Sequence, residues 1–404
     1  MDMRLSDEQI RLQTLARDFA VKEMKPVVAE PDRLADPAEV QRRFPWNVIK
    51  EGSKVGLRTA ALPKEYGGGG IGILTHLIML EELCQADSGL ATHFHQAWKM
   101  AKLLVQKCSK EQREHFLPKF TDDDTALLAV GITEPNSGCD TLMPYDEPDG
   151  GVRTTAVRDG GGWVINGTKH FIACASVAKL FFVATRTDRT VGVTKGLTTF
   201  LVEKGTPGFR IGRIHDKLGN RLMMNAELIF ENCRVPDFNR VSEVGRGLQF
   251  LASFGARHVP TTGAFGLALA RAAFETTVEY AKTRVQGGKP IIEHTTVALR
   301  LGEMAAQIEA ARAVCLQAAW MADQPDYDAR HGILASIFSS DVGPKVCDMA
   351  LQLMGGYGYM KDYPIEKILR DALMCYHIDG TSDVHRIKIG EMLRGVARTG
   401  YIAE

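Results

Sequence analysis

The sequence predicts an α+β protein of several domains, with helices at both ends and a β domain between them. The chain has 404 residues, which is too long for one small hydrophobic core. Helical periodicity dominates the first third and the last part of the chain, whereas short segments rich in Val, Ile, Phe and Thr fill the middle. We expect an N-terminal all-α domain at 1–126, a middle antiparallel β domain at 127–240 and a C-terminal antiparallel helix bundle at 241–404.

The N-terminal domain opens with a helix start signal. Ser6 and Gln9 have the spacing of a capping box, and a helical stripe of apolar residues follows until Pro26, where we expect the helix to end. A second helical pattern covers 73–105. The glycines of EYGGGGIG between them formally match a dinucleotide-binding motif, but no strand precedes them, so we predict a loop.

The middle and C-terminal domains differ in their periodicity. Segments such as WVINGTKHFIA and KLFFVATR, separated by Gly, Asp, Asn and Pro, are typical of a compact antiparallel β domain that ends near Pro236. Long helical stretches then cover 246–284, 294–323, 328–354 and 382–396, with breaks at GGKP, QPDYD and GGYGY. Helices of this length without a heptad repeat pack best as an antiparallel bundle.

Composition excludes several classes of protein. Lys plus Arg and Asp plus Glu both number 49, so the basic excess of a nucleic-acid-binding protein is missing. The 8 cysteines show no CxxC pair and no Cys/His ligand spacing, which argues against disulfides and metal sites and favours a cytoplasmic protein with reduced thiols. We expect no signal peptide and no membrane helix, because no window has the required apolar length.

Seven short motifs follow one another along nearly the whole chain. They are ITEPNSGCD (132–140), WVINGTK (163–169), KLGNR (217–221), FENCRVP (230–236), QLMGGYGY (352–359), YPIEKILRDA (363–372) and DGTSDVHR (379–386). Each is weak alone, but in this order and within a helical–β–helical chain they make the protein resemble the acyl-CoA dehydrogenase family. The resemblance implies FAD as cofactor, an acyl-CoA thioester as substrate, an electron-transfer flavoprotein as electron acceptor and a homotetramer.

The same resemblance makes Asp379 the catalytic base, at the position where most of the family has a Glu that removes the α-proton. Gly380 allows a tight turn beside the substrate, and Thr381 or Ser382 can cap the following helix. Burial beside a flavin and a thioester would raise the pKa of Asp379. The alternative is that Asp379 is only a helix cap.

The shorter base also bears on the substrate. An Asp carboxylate reaches about 1.5 Å less far than that of Glu, one C–C bond. Either the substrate lies closer to this loop or its α-carbon is bulkier, so we expect a short, branched or cyclic acyl group rather than a long straight chain.

The remaining site residues are also implied by the resemblance. The expected FAD contacts are Thr133 and Ser137 in a turn, Phe171 against the flavin, Arg284, Gln286, Gln352, Gly355 and Gly356 towards a neighbouring subunit's FAD, and Thr381 and Asp383. Ala173 replaces the Ser or Thr that usually hydrogen-bonds the flavin, and Gly287 replaces a Phe. Each of these contacts has a structural alternative. The turn with Thr133 and Ser137 can be a plain β-turn, Phe171 can be a core residue, and Gly355 and Gly356 can form a helix C-cap.

Arg257 is expected to contact the pantetheine arm of the substrate, with a solvated helix-face Arg as the alternative. The resemblance implies that the helix with His93 and His95 lines the acyl pocket and that His95 contacts the substrate. Because the two are two residues apart, at most one should point into the pocket, and the alternative is that both are surface or satisfied core histidines. Two rival functions stay open. Nitroalkane oxidases resemble this family and use an Asp with an Arg seven residues on, as Asp379 and Arg386 are spaced here. The other rival is a non-enzymatic scaffold of the same fold.

Overall fold

The structure is a computed structural model that describes residues 4–143 and 146–395. It has a helical N-terminal part, a central sheet and a C-terminal helix bundle, as predicted. The N-terminal helices are α1 (Asp7–Phe19), α2 (Lys25–Arg33), α3 (Pro37–Arg42), α4 (Trp46–Lys54), α5 (Ile73–Cys84), α6 (Ser88–Lys107) and α7 (Lys110–Thr121). The capping box at Ser6 and Gln9 is confirmed, and the EYGGGGIG segment is a loop without a preceding strand, also as predicted.

The expected helix end at Pro26 is wrong. After α1 the chain continues through a π-helical turn, Ala20–Met24, directly into α2. Pro26 then lies in the first turn of α2, directly after the π-helical turn, where the regular α-helical hydrogen-bond pattern is already interrupted. The helical pattern at 73–105 is likewise two helices, because Asp87 breaks it and caps α6 by accepting a hydrogen bond from the Leu90 N–H at 2.6 Å.

The middle part is a seven-stranded sheet. Its strands are β1 (Leu128–Gly131), β2 (Thr155–Asp159), β3 (Gly162–Ile172), β4 (Leu180–Arg186), β5 (Leu197–Glu203), β6 (Phe209–Ile214) and β7 (Ala226–Pro236), with the short helix α8 (Val193–Gly196) before β5. The strand order is β1-β4-β2-β3-β7-β6, and β5 pairs with β4.

The expectation of a purely antiparallel sheet is wrong for part of it. β1 pairs with β4 in parallel, as does one residue of β2, whereas β2–β3, β3–β7, β4–β5 and β6–β7 are antiparallel. A parallel pair needs a long crossover connection, and the chain between β1 and β4 supplies it by including the β2–β3 hairpin.

The C-terminal part consists of the helices α9 (Gly247–Thr283), α10 (Thr295–Ala322), α11 (Ala329–Met354), α12 (Gly356–Tyr359), α13 (Ile365–Ala372) and α14 (Ser382–Leu393), with a hairpin of β8 (Val285–Gln286) and β9 (Lys289–Pro290). α9 and α11 pack very closely where two glycines meet. A Cβ at Gly343 would lie 2.8 Å from the Gly266 Cα. The absence of both side chains therefore sets the distance between these helices.

The KLGNR and YPIEKILRDA motifs meet at a junction of the three parts. The Asn220 N–H donates to the Asp371 carboxylate at 2.6 Å, and Ser88 at the start of α6 donates to the Asn220 side chain at 2.5 Å. Lys367 adds its ammonium group to Asp371 and to Asp87. These buried contacts fix α6 against the C-terminal helices. Within the described residues, no helix is both long and apolar enough to cross a membrane.

Candidate active site

Asp379 lies in the connection between α13 and α14, and its backbone is left-handed, with φ 48°. Few non-glycine residues adopt this conformation, and Asp is one of those that tolerate it. The cap of α14 is Thr381, whose hydroxyl accepts a hydrogen bond from the Val384 N–H at 3.2 Å. The alternative that Asp379 only caps the helix is therefore wrong.

Two side chains from separate helices bind the Asp379 carboxylate. Lys99 of α6 has its Nζ 2.9 Å from Asp379 Oδ2, and Thr262 of α9 donates to the same oxygen at 3.2 Å. The Asp379 side chain keeps 40% of its accessible surface, whereas that of Lys99 keeps 11%. Within the described residues, both hydrogen bonds to this carboxylate fall on Oδ2, so Oδ1 is left for another partner.

The electrostatics of this cluster correct one expectation. Burial raises the pKa of Asp379, but the ammonium charge of Lys99 and the hydrogen bonds from Lys99 and Thr262 lower it more, so the pKa lies below its ordinary value. The expectation of a raised pKa is wrong for this structure, because nothing in the sequence indicates that a lysine 280 residues away meets the carboxylate. Asp379 is ionised at neutral pH.

Gly380 and His385 complete the turn behind Asp379. Gly380 has φ 97°, and a Cβ there would lie 3.0 Å from His385 Nε2, so a side chain at this position would be both strained and crowded. His385 is buried, and burial lowers its pKa to about 4. A neutral imidazole therefore supports the turn at physiological pH.

Both His93 and His95 are buried, and the expectation that at most one of them points into the acyl pocket stays a prediction. They do face different neighbours, as their spacing requires. His93 Nε2 donates to the Leu222 carbonyl at 2.8 Å, and His95 Nδ1 lies 2.9 Å from His76 Nε2. Both can be buried because α6 is enclosed on nearly all sides by other elements.

His95 lies one helical turn before Lys99 on α6, on the same face. Its ring packs edge-on against Phe265 of α9, with centroids 5.5 Å apart. Its Nε2 has no hydrogen-bond partner within the described residues. Burial lowers the pKa of His95 well below its ordinary value, so the ring is neutral.

The ITEPNSG turn is held by a buried ion pair that the sequence did not reveal. Lys169 Nζ lies 2.7 Å from the Glu134 carboxylate, which also accepts from the backbone N–H groups of residues 153 and 154. The Thr133 carbonyl accepts from the His170 N–H at 2.8 Å, which brings the turn next to Phe171. The Ser137 hydroxyl donates to Asp140 at 3.0 Å.

Phe171 at the end of β3 is not a core residue, because its side chain is exposed although large and apolar. Its backbone is left-handed, with φ 58°. The Phe171 N–H donates to His215 at 3.2 Å, and its carbonyl accepts from Asn225 at 3.0 Å. Ala173, two residues on, is half-buried and offers no side-chain hydrogen bond. The aromatic ring is thus displayed by a firmly bonded backbone.

The structure brings Arg284 and the QLMGGYGY motif together. The guanidinium of Arg284 lies 5.0 Å from the centre of the Tyr357 ring. Gly355 is the C-cap of α11 with φ 60°, so the helix-cap alternative is confirmed for this residue. Gly356 is different, since a Cβ there would meet no protein atom within 4 Å. Packing within the chain therefore does not require a glycine at Gly356.

Other predicted contacts are placed as follows. Gln286 and Gln352 are exposed. Asp383 is in the first turn of α14, 3.5 Å from Arg386, which also pairs with Asp341. None of these contacts reaches Asp379, and their cofactor roles stay predictions.

Arg257 points towards the α10–α11 connection. Its guanidinium donates to the carbonyls of Ala322 and Gln324 at 2.9 Å each, and to that of Pro325 at 3.2 Å. The alternative of a solvated helix-face Arg does not fit these three bonds. A contact with pantetheine stays a prediction.

Comparison with known proteins identifies the family. Three family models match in chain order: the acyl-CoA dehydrogenase N-terminal domain at 6–124, middle domain at 129–233 and C-terminal domain at 245–393. The chain therefore belongs to the acyl-CoA dehydrogenase family.

The similarity extends over whole chains. An acryloyl-CoA reductase (NADH) of Anaerotignum propionicum is 36% identical, with 96% of this chain and 95% of that protein covered. A cyclohex-1-ene-1-carbonyl-CoA dehydrogenase of Syntrophus aciditrophicus is 34% identical, with 96% and 90% covered. A chain in the structure of the electron transferring flavoprotein of Acidaminococcus fermentans is 32% identical with a TM-score of 0.88, and 97% and 99% of the two chains are covered.

The family binds FAD, and the residues present fit that cofactor. An exposed aromatic ring held on a left-handed, hydrogen-bonded backbone is a surface for stacking, as Phe171 provides. The open backbone at Gly356 and the Arg284 guanidinium beside it suit a phosphate-bearing group. These observations agree with the roles that the sequence implied for the three residues.

Proposed function

We propose that this chain is an FAD-dependent acyl-CoA dehydrogenase in which Asp379 removes the α-proton of a short, branched or cyclic acyl-CoA. The observation that carries the proposal is the state of the Asp379 carboxylate. It is ionised, half-accessible and bonded through Oδ2 only, and it does not cap the neighbouring helix. A general base must be ionised and must have a free oxygen within reach of the proton that it removes.

The chemistry divides between cofactor and chain. FAD, when bound, supplies the acceptor for the hydride that leaves the β-carbon. Asp379 Oδ1 forms the new O–H bond as the α C–H bond breaks, and the product is an α,β-unsaturated thioester. Negative charge develops on the thioester carbonyl during this step and needs hydrogen-bond donors. The Asp379 backbone N–H and a ribityl hydroxyl of the cofactor are the donors that we propose.

The proposed acyl group is small because the space beside Asp379 is bounded by polar and aromatic side chains. Lys99 of α6 and Thr262 of α9 contact the Asp379 carboxylate, and His95 and Phe265, one turn away on the same two helices, pack against each other. A long alkyl chain against this region would leave the unpartnered His95 Nε2 facing apolar surface, which is costly. The names of the relatives from Anaerotignum and Syntrophus, an acryloyl-CoA and a cyclohexenecarbonyl-CoA enzyme, support a short or cyclic acyl group.

The proposed electron acceptor is an electron-transfer flavoprotein, which is supported by the similarity to a chain in the Acidaminococcus structure. The proposed assembly is a homotetramer. Arg284 and the exposed Gln352 would then reach the FAD of a neighbouring subunit. A monomer that retains FAD tightly would contradict this part of the proposal.

The test is anaerobic titration of the purified yellow protein with a panel of acyl-CoAs and nitroalkanes, monitored by loss of flavin absorbance. We expect bleaching by short, branched or cyclic acyl-CoAs and none by nitroalkanes. Asp379→Asn should retain FAD but not bleach. Asp341→Asn, which changes a surface carboxylate paired with Arg386, is the matched control and should bleach normally. Bleaching by nitroalkanes alone would support the nitroalkane-oxidase alternative and overturn the proposal.

A further inference from the structure

The pair formed by Lys99 and Asp379 is an unusual arrangement for a base. An ammonium group 2.9 Å from a carboxylate opposes its protonation, and Lys99 is itself mostly buried. Within the described residues, Asp379 is the one side chain that hydrogen-bonds the Lys99 Nζ. A lysine in the interior of a protein is costly unless it is paired, so its presence requires an explanation.

The geometry suggests what the pair does. Lys99 and Thr262 reach Asp379 from α6 and α9, two helices that belong to different parts of the fold, and both bind Oδ2. Fixing one oxygen with two donors sets the rotation of the carboxylate about its Cβ–Cγ bond. Oδ1 is then directed by the protein rather than left to rotate, which matters for a short side chain that cannot adjust its reach.

We propose that Lys99 is a positioning residue that holds Asp379 ionised before substrate binds and orients Oδ1 to receive the α-proton. The inference rests on the proposed function, in which Asp379 is the base. When the α C–H bond breaks, its proton goes to Oδ1 and the carboxylate becomes neutral. The charge of Lys99 then loses its counter-charge and faces the negative charge that develops on the thioester. One cation thereby stabilises first the base and then the reacting substrate.

Other charged groups near Asp379 do not account for its ionisation. His258 of α9 and His385 of α14 both lie within electrostatic range, but burial lowers their pKa values to about 3 and about 4. Both are neutral above that range, as is His95. Thr262 carries no charge, so Lys99 is the one formal charge among these groups at neutral pH.

The test compares Lys99→Met, Lys99→Arg and the control Lys102→Met. Lys102 is on the same helix but donates to the Ile71 carbonyl rather than to a carboxylate.

The rate of flavin reduction at saturating substrate is measured from pH 5 to pH 9. In Lys99→Met the pKa of Asp379 rises, because only the weaker contribution of Thr262 still opposes the effect of burial, so the rate falls off at a higher pH than in the wild type. We expect a loss of about tenfold or more on this acidic limb, the factor that one charge-assisted hydrogen bond represents. Lys99→Arg should restore the acidic limb, and Lys102→Met should not move it.

A second measurement does not depend on turnover. Infrared titration of the carboxyl band, taken as the difference between each protein and its Asp379→Asn counterpart, reports the protonation of Asp379 directly. We expect the titration to move to higher pH in Lys99→Met and to return in Lys99→Arg. If Lys99 only ties two helices together, Lys99→Met would lower the melting temperature and leave both pH profiles in place, and the inference would be wrong. If no acyl-CoA bleaches the wild type, the proposed function fails, while the infrared titration still decides the role of Lys99.

Discussion

Asn220 and Asp371 are joined twice, since the Asn220 N–H donates to the Asp371 carboxylate at 2.6 Å and the Asn220 side-chain amide donates to the Asp371 carbonyl at 2.8 Å. Both residues are buried, and Asn220 is left-handed with φ 50°. One asparagine therefore connects the sheet domain to α13 while it adopts a backbone conformation that few side chains tolerate. The KLGNR and YPIEKILRDA motifs thus hold the sheet domain, α6 and α13 together.

The first prediction concerns this asparagine. Asn220→Ala removes the hydrogen bonds of the side-chain amide and keeps a Cβ on a left-handed backbone. We therefore expect the free energy of unfolding to fall by about 1–3 kcal/mol. Asn220→Gly removes the same bonds but relieves the backbone, so its loss should be smaller. Chemical denaturation of both variants beside the exposed control Asn47→Ala measures the difference. Equal losses for Ala and Gly would show that the left-handed backbone contributes nothing.

The second prediction concerns the glycine contact between α9 and α11. Gly343→Ala places a Cβ 2.8 Å from the Gly266 Cα. Because the clash is with backbone, it can be relieved only by moving a helix, so we expect the free energy of unfolding to fall by about 1–3 kcal/mol. Gly302→Ala on α10 is the matched control, since a Cβ there meets nothing within 4 Å. That variant should gain about 0.5–1 kcal/mol from helix propensity. Thermal melts of the two variants under one buffer compare them directly.

The third prediction concerns the pH dependence of stability in Glu134→Gln. The variant leaves the buried Lys169 without a counter-charge, which should cost about 3–5 kcal/mol near pH 7. Burial already lowers the pKa of Lys169 to about 8, opposed by Glu134, and losing that carboxylate lowers it further. In the unfolded chain Lys169 keeps its proton up to about pH 10.4. At pH values between its lowered folded pKa and this unfolded pKa, the unfolded variant therefore binds more protons than the folded variant.

Stability of Glu134→Gln should therefore rise with pH between the lowered folded pKa and the unfolded value. The deficit relative to wild type should be largest at pH 6 and smaller at pH 9, as measured by urea denaturation at both pH values. The matched variant Lys169→Met, in a Glu134→Gln background, removes the titrating group and should abolish this slope. A deficit that does not change with pH would contradict the assignment.

The sequence predicts the long elements of this fold well and the contacts of Asp379 poorly. α9, α10 and α11 begin and end within a few residues of their predicted bounds, because periodicity over more than twenty residues is a strong signal. Lys99 was not predicted at all. A lysine on a helix is usually a solvated residue, and α6 is buried around nearly its whole circumference, so no apolar stripe marks the side on which Lys99 lies.

The same limit applies to the surroundings of the two histidines and to the pKa of Asp379. Whether His93 and His95 face inward depends on what surrounds α6, which is decided by packing with α5, α9 and the sheet domain rather than by spacing. The pKa of Asp379 depends on a partner 280 residues away. In contrast, the sequence singles out Asp379 as the candidate base because it stands where most of the resembled family has its Glu, next to Gly380 and the helix cap Thr381.

The fourth prediction is that Asp379→Asn loses reduction of the flavin by substrate while FAD stays bound. Asn is nearly isosteric and tolerates the left-handed backbone, so the turn should survive. It cannot accept a proton, so the loss should be at least the roughly 10²–10⁴-fold typical of a positioned general base. The loss should appear in the chemical step rather than in binding, which single-turnover kinetics separates from KM. A rate close to that of wild type would remove Asp379 as the base.

The fifth prediction is that Asp379→Glu exchanges one substrate preference for another. The added methylene moves the carboxylate about 1.5 Å towards the substrate. Its oxygens then no longer lie where Lys99 and Thr262 bind Asp379 Oδ2 in the wild type. A substrate that is bulky at its α-carbon should then collide with the base, while a slim straight-chain acyl-CoA should come within reach. We expect the kcat/KM ratio of a branched or cyclic acyl-CoA to butyryl-CoA to fall in the variant, measured with both substrates on one preparation. Because Glu tolerates a left-handed backbone less well than Asp, a general loss of activity accompanies the change, so the ratio and not the rate is decisive.

An unchanged ratio would mean that the length of the base does not select the acyl group. The preference would then have to come from other residues near Asp379, such as His95 and Phe265.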